Sequence, residues 1–457
     1  MFRGFIGSRA FYNKLLVVTV PLVIQQLITT SVQLIDNIMV GRLGEEAISA
    51  VSVINQLYFV IILMLFGMMG GAGIYTAQYF GSKNFEKLRQ TFRFKLLISL
   101  VLSVVSLAIL TLFGGSLIRL FTSTDTTIQL GLDYLNIVRF GIFPLAVSIA
   151  ISTTFREIGI TKQIMIVSII AVFTNTALNY VLIFGHFGFP RLETVGAAYA
   201  TLIARFLELA LMFALLLKKG KLFSTRLYQL FKIDYAVLKG ILIVALPLTL
   251  NEALWSLGHT AFLHAYSTRG DSALAAMNIT NAISQLVFVT FAAIGTGVAV
   301  LVGNTLGSNQ LEEAKDNAKK LIAASVITAM FAGIILFILS FFIVNLYDVT
   351  VLTRTTAIFN IRVNAFFIPI YSLNVALYFI LRAGGDTRST LMMDSGYMWV
   401  IAVPVALILA YFTQLPITMM FVMIQVLEIP KSMFAIHRYK KARWLRNLTI
   451  PDALPIP

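Results

Sequence analysis

Apolar residues recur along this chain in runs of about 20 or more, the length a helix needs to cross a membrane. Short clusters of charge, glycine or proline separate the runs. Breaking the chain there predicts twelve helical spans, at about 14–40, 47–80, 91–114, 128–153, 163–185, 195–217, 238–266, 273–305, 317–346, 356–381, 391–412 and 415–437. The longest polar interruption, KKGKLFSTRLYQLFKID from Lys218 to Asp234, separates six spans from six. The expected fold class is therefore an all-α membrane protein of twelve transmembrane helices, with an N-terminal lobe over 1–220 and a C-terminal lobe over 221–457.

Composition strengthens this reading. A chain of 457 residues could hold two or three soluble domains, but 58% of it is hydrophobic and only 12% charged. Soluble domains carry roughly twice that charge. The absence of cysteine removes disulfides, thiolate chemistry and cysteine metal sites. Phe2 to Phe11, with Arg3 and Arg9, is too short and broken for a cleavable leader.

A net charge of +15 could suggest nucleic acid, but its distribution is topological. Assigning the amino terminus and every second loop to one side collects most Lys and Arg residues there, leaving Arg42, Arg119, Arg191, Arg269 and Arg354 opposite. The positive-inside rule then makes both termini cytoplasmic. A nucleic-acid partner is not expected.

One constant offset superposes the two halves. It brings Pro21 onto Pro247, Asn55 onto Asn281, Gly71 onto Gly297, Gly81 onto Gly307, Arg156 onto Arg382 and Gly159 onto Gly385. With six spans per unit the halves share orientation, related by an axis along the membrane normal. Repeats of this kind typically cup a substrate site between them.

Intramembrane polar groups mark the candidate chemistry, because an acid at membrane depth is costly and normally faces a partner or a watery cavity. Asp36 lies roughly 9 Å inside the end marked by Arg42, Asn179 roughly 10 Å from the loop at His186, and Thr201 roughly 8 Å from Gly196. Asn175 is one turn from Asn179 on the same face. Carboxylate, amide and hydroxyl oxygens at one level suit Na⁺ on Asp36, Asn175 and Asn179, or a proton on Asp36. Interhelical hydrogen bonding is the competing reading for the asparagines and Thr201.

The offset carries Asp36 onto Phe262, so this acid is not repeated. The second half instead has Glu252 and Asp394, both in the cytoplasmic half of the membrane. Glu252 shares a helix face with Trp255, His259 and Tyr266. A carboxylate beside aromatic rings suits a lipophilic organic cation; a hydrogen bond among core aromatics is the alternative. His259 and His264 are expected to pack or hydrogen-bond.

Arg205 can pair with Glu208, and Glu428 with Lys431, each three residues apart. Arg139 and Arg362 are expected to bond to backbone or neighbouring helices. Pro21, Pro144, Pro247, Pro369 and Pro404 interrupt helical bonding and permit bends. The run GMMGGAG from Gly67 to Gly73 has no strand before it, so close helix packing explains it better than a dinucleotide loop. No GxSxG, phosphate loop or HExxH occurs, so no enzyme is expected.

Several stretches together resemble the multidrug and toxic compound extrusion (MATE) family, in its prokaryotic form. They are the Pro21-to-Gln25 region, DNIMVGRLGEEAISAVS, GSKNFEKLRQ, GAAYAT at 196–201 and LRAGGDTRSTLMMD from Leu381 to Asp394. The resemblance spans about residues 12–440. It implies two pseudo-symmetric six-helix lobes in a V around a central cavity, exporting amphipathic, mostly cationic compounds across the plasma membrane in exchange for Na⁺ or H⁺. Asp36, Asn175, Asn179 and Thr201 fall on positions that resemble the family's amino-terminal cation site. Asn179 stands where some members carry a second Asp. Glu252 resembles the seventh-helix acid of members that bind the ion in the carboxy-terminal lobe, and Glu252, Asp394, Trp255 and Gln25 form the expected second acidic, substrate-facing set. The expectation is a monomer with no cofactor beyond the coupling ion. The alternative is a flippase of lipid-linked oligosaccharide or lipid, which an arginine-lined cavity would favour.

Overall fold

A computed structural model describes residues 7–218, 223, 227–347 and 349–450. The predicted lobe boundary at 220 falls outside them, as do parts of the Lys218–Asp234 linker. The described residues are overwhelmingly helical, with no strand among them. Twelve spans run Arg9–Gly41, Glu45–Gly81, Phe85–Arg119, Asp125–Glu157, Lys162–Phe184, Glu193–Lys218, Tyr235–Ser267, Asp271–Gly307, Leu311–Leu339, Val351–Ala383, Thr387–Phe412 and Ile417–Lys440. The predicted ninth span, 317–346, is shifted: it begins at Leu311, ends at Leu339 and is followed by a 3₁₀ turn at Ile343–Leu346.

Three spans are broken, each beside a proline. The fourth passes through a 3₁₀ turn at Arg139–Gly141 just before Pro144. The eleventh is π-helical over Met392–Gly396 and Met398–Ala402, ahead of Pro404. The twelfth breaks at Leu427, between Ile417–Val426 and Glu428–Lys440, with Pro430 in the first turn of the second piece. Proline lacks an N–H and its ring crowds the carbonyl one turn earlier, so the backbone before it adopts other spacings. The Leu427 carbonyl accepts from the Tyr397 hydroxyl at 2.8 Å. Pro21, Pro247 and Pro369 lie within continuous helices.

The internal repeat is visible in the turns. Gly44 and Gly270, Lys83 and Asn309, and Gly159 and Gly385 are counterparts under the sequence offset, and all six have positive φ. It is visible in packing too. A Cβ on Gly81 would strike the Asn304 carbonyl, and one on Gly307 would strike that of Gln78. These two contacts are each other's counterpart, the pattern of a two-fold related pair.

The chain forms two compact units. The Asp36 unit comprises Val20–Thr76 and Asn84–Ala245; the Asp394 unit comprises Met1–Thr19, Ala77–Lys83 and Leu246–Pro457. The first and seventh spans therefore change unit at equivalent points, just ahead of Pro21 and Pro247. Glycines hold the exchanged pieces. Gly71 packs on Ala245 in the Asp36 unit and Gly297 on Thr19 in the Asp394 unit, again a counterpart pair. Gly73, in the same glycine run, faces the Glu157 carboxylate, which pairs with the fully buried Lys95. Close packing is thus what the GMMGGAG run does.

In the Asp36 unit, Val40, Ile54, Leu110, Leu135, Ile142 and Ile183 belong to one apolar core; in the Asp394 unit, Val302, Leu306, Leu321, Leu377 and Ile380 belong to another. Arg269 donates to the carbonyls of Leu409, Ala410, Thr413 and Leu415 at 2.7–2.9 Å, placing a cation on the C-terminal end of the eleventh span. Arg362 donates to Ser340 at 3.2 Å and lies over Phe341, while Arg139 lies over Phe140.

Candidate cation site and a second polar cluster

The depth arithmetic places four residues together, and the structure does the same. Asp36, half-buried in the first span, meets the fifth span through Asn179, whose Nδ2 donates to Oδ1 at 3.0 Å. The Thr176 hydroxyl donates to the same oxygen at 3.4 Å. With its amide nitrogen turned toward Asp36, Asn175 donates to Oδ2 at 2.8 Å and accepts from the Thr201 backbone N–H at 3.2 Å. The reverse orientation would set a carbonyl oxygen against a carboxylate, so this one is adopted. Tyr134, buried in the fourth span, hydrogen-bonds the Thr201 side chain.

Thr176 and Tyr134 were not anticipated. Tyr134 was within reach of the same argument, since it lies roughly 13 Å inside the Asp125 end of its span. Thr176 lies three residues before Asn179, on the helix face that meets Asp36.

Asp36 thus accepts only from neutral amides and a hydroxyl, and no basic side chain pairs with it among the described residues. Asn179 is 3% exposed and its Oδ1 has no hydrogen-bond partner. A buried carbonyl oxygen left unpaired beside a carboxylate fits a hard monovalent cation, which takes carboxylate and neutral oxygen ligands. Amides serve both conditions: their N–H groups hold the bare carboxylate, and their oxygens face a cation after rotation.

Gln25 belongs to the Asp36 unit, where its Nε2 donates to Ser168 Oγ at 2.7 Å; Glu252, Asp394 and Trp255 belong to the Asp394 unit.

The repeat offset carries Gln25 onto Asn251 and Ser168 onto Asp394. That equivalent pair is also hydrogen-bonded, Asn251 Nδ2 donating to Asp394 Oδ2 at 3.1 Å. Asn251 Oδ1 accepts from the Ser395 N–H at 3.2 Å, and its carbonyl accepts from the Ser395 hydroxyl at 2.8 Å. The other Asp394 oxygen, Oδ1, lies 3.1 Å from Lys431 Nζ. Lys431 was expected to pair with Glu428. It does so at 3.6 Å, but its shorter contact is with Asp394. Glu428 in turn accepts from Asn374 Nδ2 at 2.8 Å. The partnership of Asp394 and Lys431 was invisible in sequence because it joins two helices.

Glu252, one residue from Asn251, is half-buried and forms no salt bridge among the described residues. Trp255 and His259 are neighbours on its helix, with ring centroids 4.1 Å apart. Tyr266, farther along that helix, contacts Phe421. Arg205 pairs with Glu208 at 3.0 Å, and His264 hydrogen-bonds Tyr411 at 2.8 Å.

A twelve-span helical protein with repeated halves and carboxylates lodged within its spans belongs to the class of polytopic membrane transporters. The MatE family model matches residues 21–181 and 247–427, and the chain belongs to that family. It is 27% identical over 401 residues to the probable multidrug resistance protein YoeA of Bacillus subtilis, covering 87% of each chain. It is 25% identical to the probable multidrug resistance protein NorM of Halalkalibacterium halodurans, covering 88% of each. The fold is that of a mutant of the Vibrio cholerae MATE transporter VcmN, with a TM-score of 0.87 over 95% of this chain and 97% of that one at 16% identity. The protein is a multi-pass membrane transporter and not an enzyme.

Proposed function

We propose that this transporter is a multidrug exporter driven by cation exchange, with Asp36 as the coupling site and Na⁺ or H⁺ as the coupling ion. The carrying observation is that Asp36 accepts from Asn175, Thr176 and Asn179 with no basic partner among the described residues, beside the unpaired Asn179 oxygen. The names of the relatives support drug efflux as the task.

Asp36 takes up its cation from outside, and Asn175, Asn179 and Thr201 hold it. Cation binding favours the conformation that releases cargo, and cargo binding reverses it; each ligand acts only through its different affinity for the two states. Glu252 and Trp255 supply charge and aromatic surface for an amphipathic organic cation. The lobes 1–220 and 221–457 alternate access across the plasma membrane, as a monomer with both termini cytoplasmic.

The test is reconstitution in vesicles under an imposed Na⁺ or proton gradient, following efflux of a fluorescent organic cation. Gradient-driven efflux is expected from the wild type and its loss from Asp36→Asn, with the variant still reaching the membrane. Undiminished coupled efflux by Asp36→Asn would overturn the assignment.

A further inference from the structure

The second cluster differs from the first in carrying its own cation. We propose that Lys431 is an internal counter-cation which occupies, at Asp394, the role that the exchanged ion plays at Asp36. The inference rests on the reading of Asp36 as the coupling site.

The geometry has a ligand-like order. Lys431 Nζ lies between two carboxylates, 3.1 Å from Asp394 and 3.6 Å from Glu428. Each acid spends its remaining oxygen on an asparagine amide, Asn251 for Asp394 and Asn374 for Glu428. The seventh, tenth, eleventh and twelfth spans therefore converge on one ammonium. The three charged side chains are only 13–20% exposed. Such burial is tolerable for charges when they are paired and their other oxygens are satisfied. The backbone is shaped to the arrangement. The π-helical stretch bearing Asp394 and the break at Leu427 beside Glu428 are the irregular parts of their spans.

The repeat shows why this is a substitution and not a shared feature. Under the offset Lys431 corresponds to Arg205, which is occupied by Glu208 on its own helix and makes no salt bridge to Asp36. Asp394 corresponds to Ser168, so the equivalent position in the Asp36 unit carries a hydroxyl in place of the acid. A lysine placed on two carboxylates excludes an incoming Na⁺ or proton by being the better-positioned cation. Asp394 then leaves the set that attracts cationic cargo, and Glu252, which forms no salt bridge among the described residues, remains in it.

Two measurements test this. The first needs no transport: dicyclohexylcarbodiimide labelling of purified wild-type protein, read by mass spectrometry. Asp394 should label markedly less than Asp36, because a lysine ammonium already holds its carboxylate and none pairs with Asp36 among the described residues. Equal labelling of the two would overturn the proposal, even in a protein that transports nothing. The second is the ion-to-cargo ratio from reversal potentials in vesicles. Lys431→Met should add one ion per cycle, and Lys431→Met with Asp394→Asn should restore the wild-type ratio. An unchanged ratio in an active Lys431→Met protein would overturn it. A wild type with no ion dependence would sink the coupling role of Asp36, while the labelling result would still decide that of Lys431.

Discussion

Two carboxylates, Asp36 and Asp394, are each held by an asparagine amide from another span, at 3.0 and 3.1 Å. Among the described residues one has only neutral donors around it, whereas the other is 3.1 Å from a lysine ammonium. Both groups satisfy the rule that buried charge must be compensated, but they do so differently. Neutral dipoles leave a carboxylate able to exchange a cation. A tethered ammonium makes the compensation permanent. Under the proposed function, one half of the repeat carries the exchange site and the other a fixed ion pair.

The comparison breaks most visibly at Asp36. Asp36→Asn should reduce gradient-driven efflux to background, whereas Asp394→Asn should leave the ion dependence in place. Next comes Lys431→Met, which strands two buried carboxylates and should destabilise by about 3–5 kcal/mol. Adding Asp394→Asn should recover part of that loss, measured as the apparent melting temperature in detergent. Smaller effects separate the two asparagines. Asn179→Ala should weaken the apparent cation affinity of transport about 10–100-fold, as loss of a supporting ligand does. Asn251→Ala should cost about 1–3 kcal/mol through the unsatisfied Ser395 N–H and Asp394 oxygen, with ion affinity unchanged. The finest test concerns the glycine pair. Gly81→Ala and Gly307→Ala should each cost about 1–3 kcal/mol, by equal amounts, since each forces a methyl onto the other helix's carbonyl. Unequal costs would show that the repeat is less symmetric in energy than in backbone.

Much of this was legible beforehand because it depends on spacing alone. Span count follows from apolar run length, and the level of Asp36, Asn175, Asn179 and Thr201 from a fixed rise per residue. Even the cross-repeat glycines could be paired by offset. Depth, however, says nothing about azimuth, so it does not single out Thr176 as a partner of Asp36.

What the sequence determined by itself was the membrane class, the twelve helices, the repeat and the height of each polar group. These are one-dimensional properties of a hydrophobic pattern. What tertiary structure alone decided was which polar groups at one height are partners. Lys431 lies three residues from Glu428 yet comes closer to Asp394, which sits in the π-helical part of the neighbouring span. Charge compensation inside a membrane is settled by contacts of about 3 Å, a scale at which helix rotation decides and sequence distance does not.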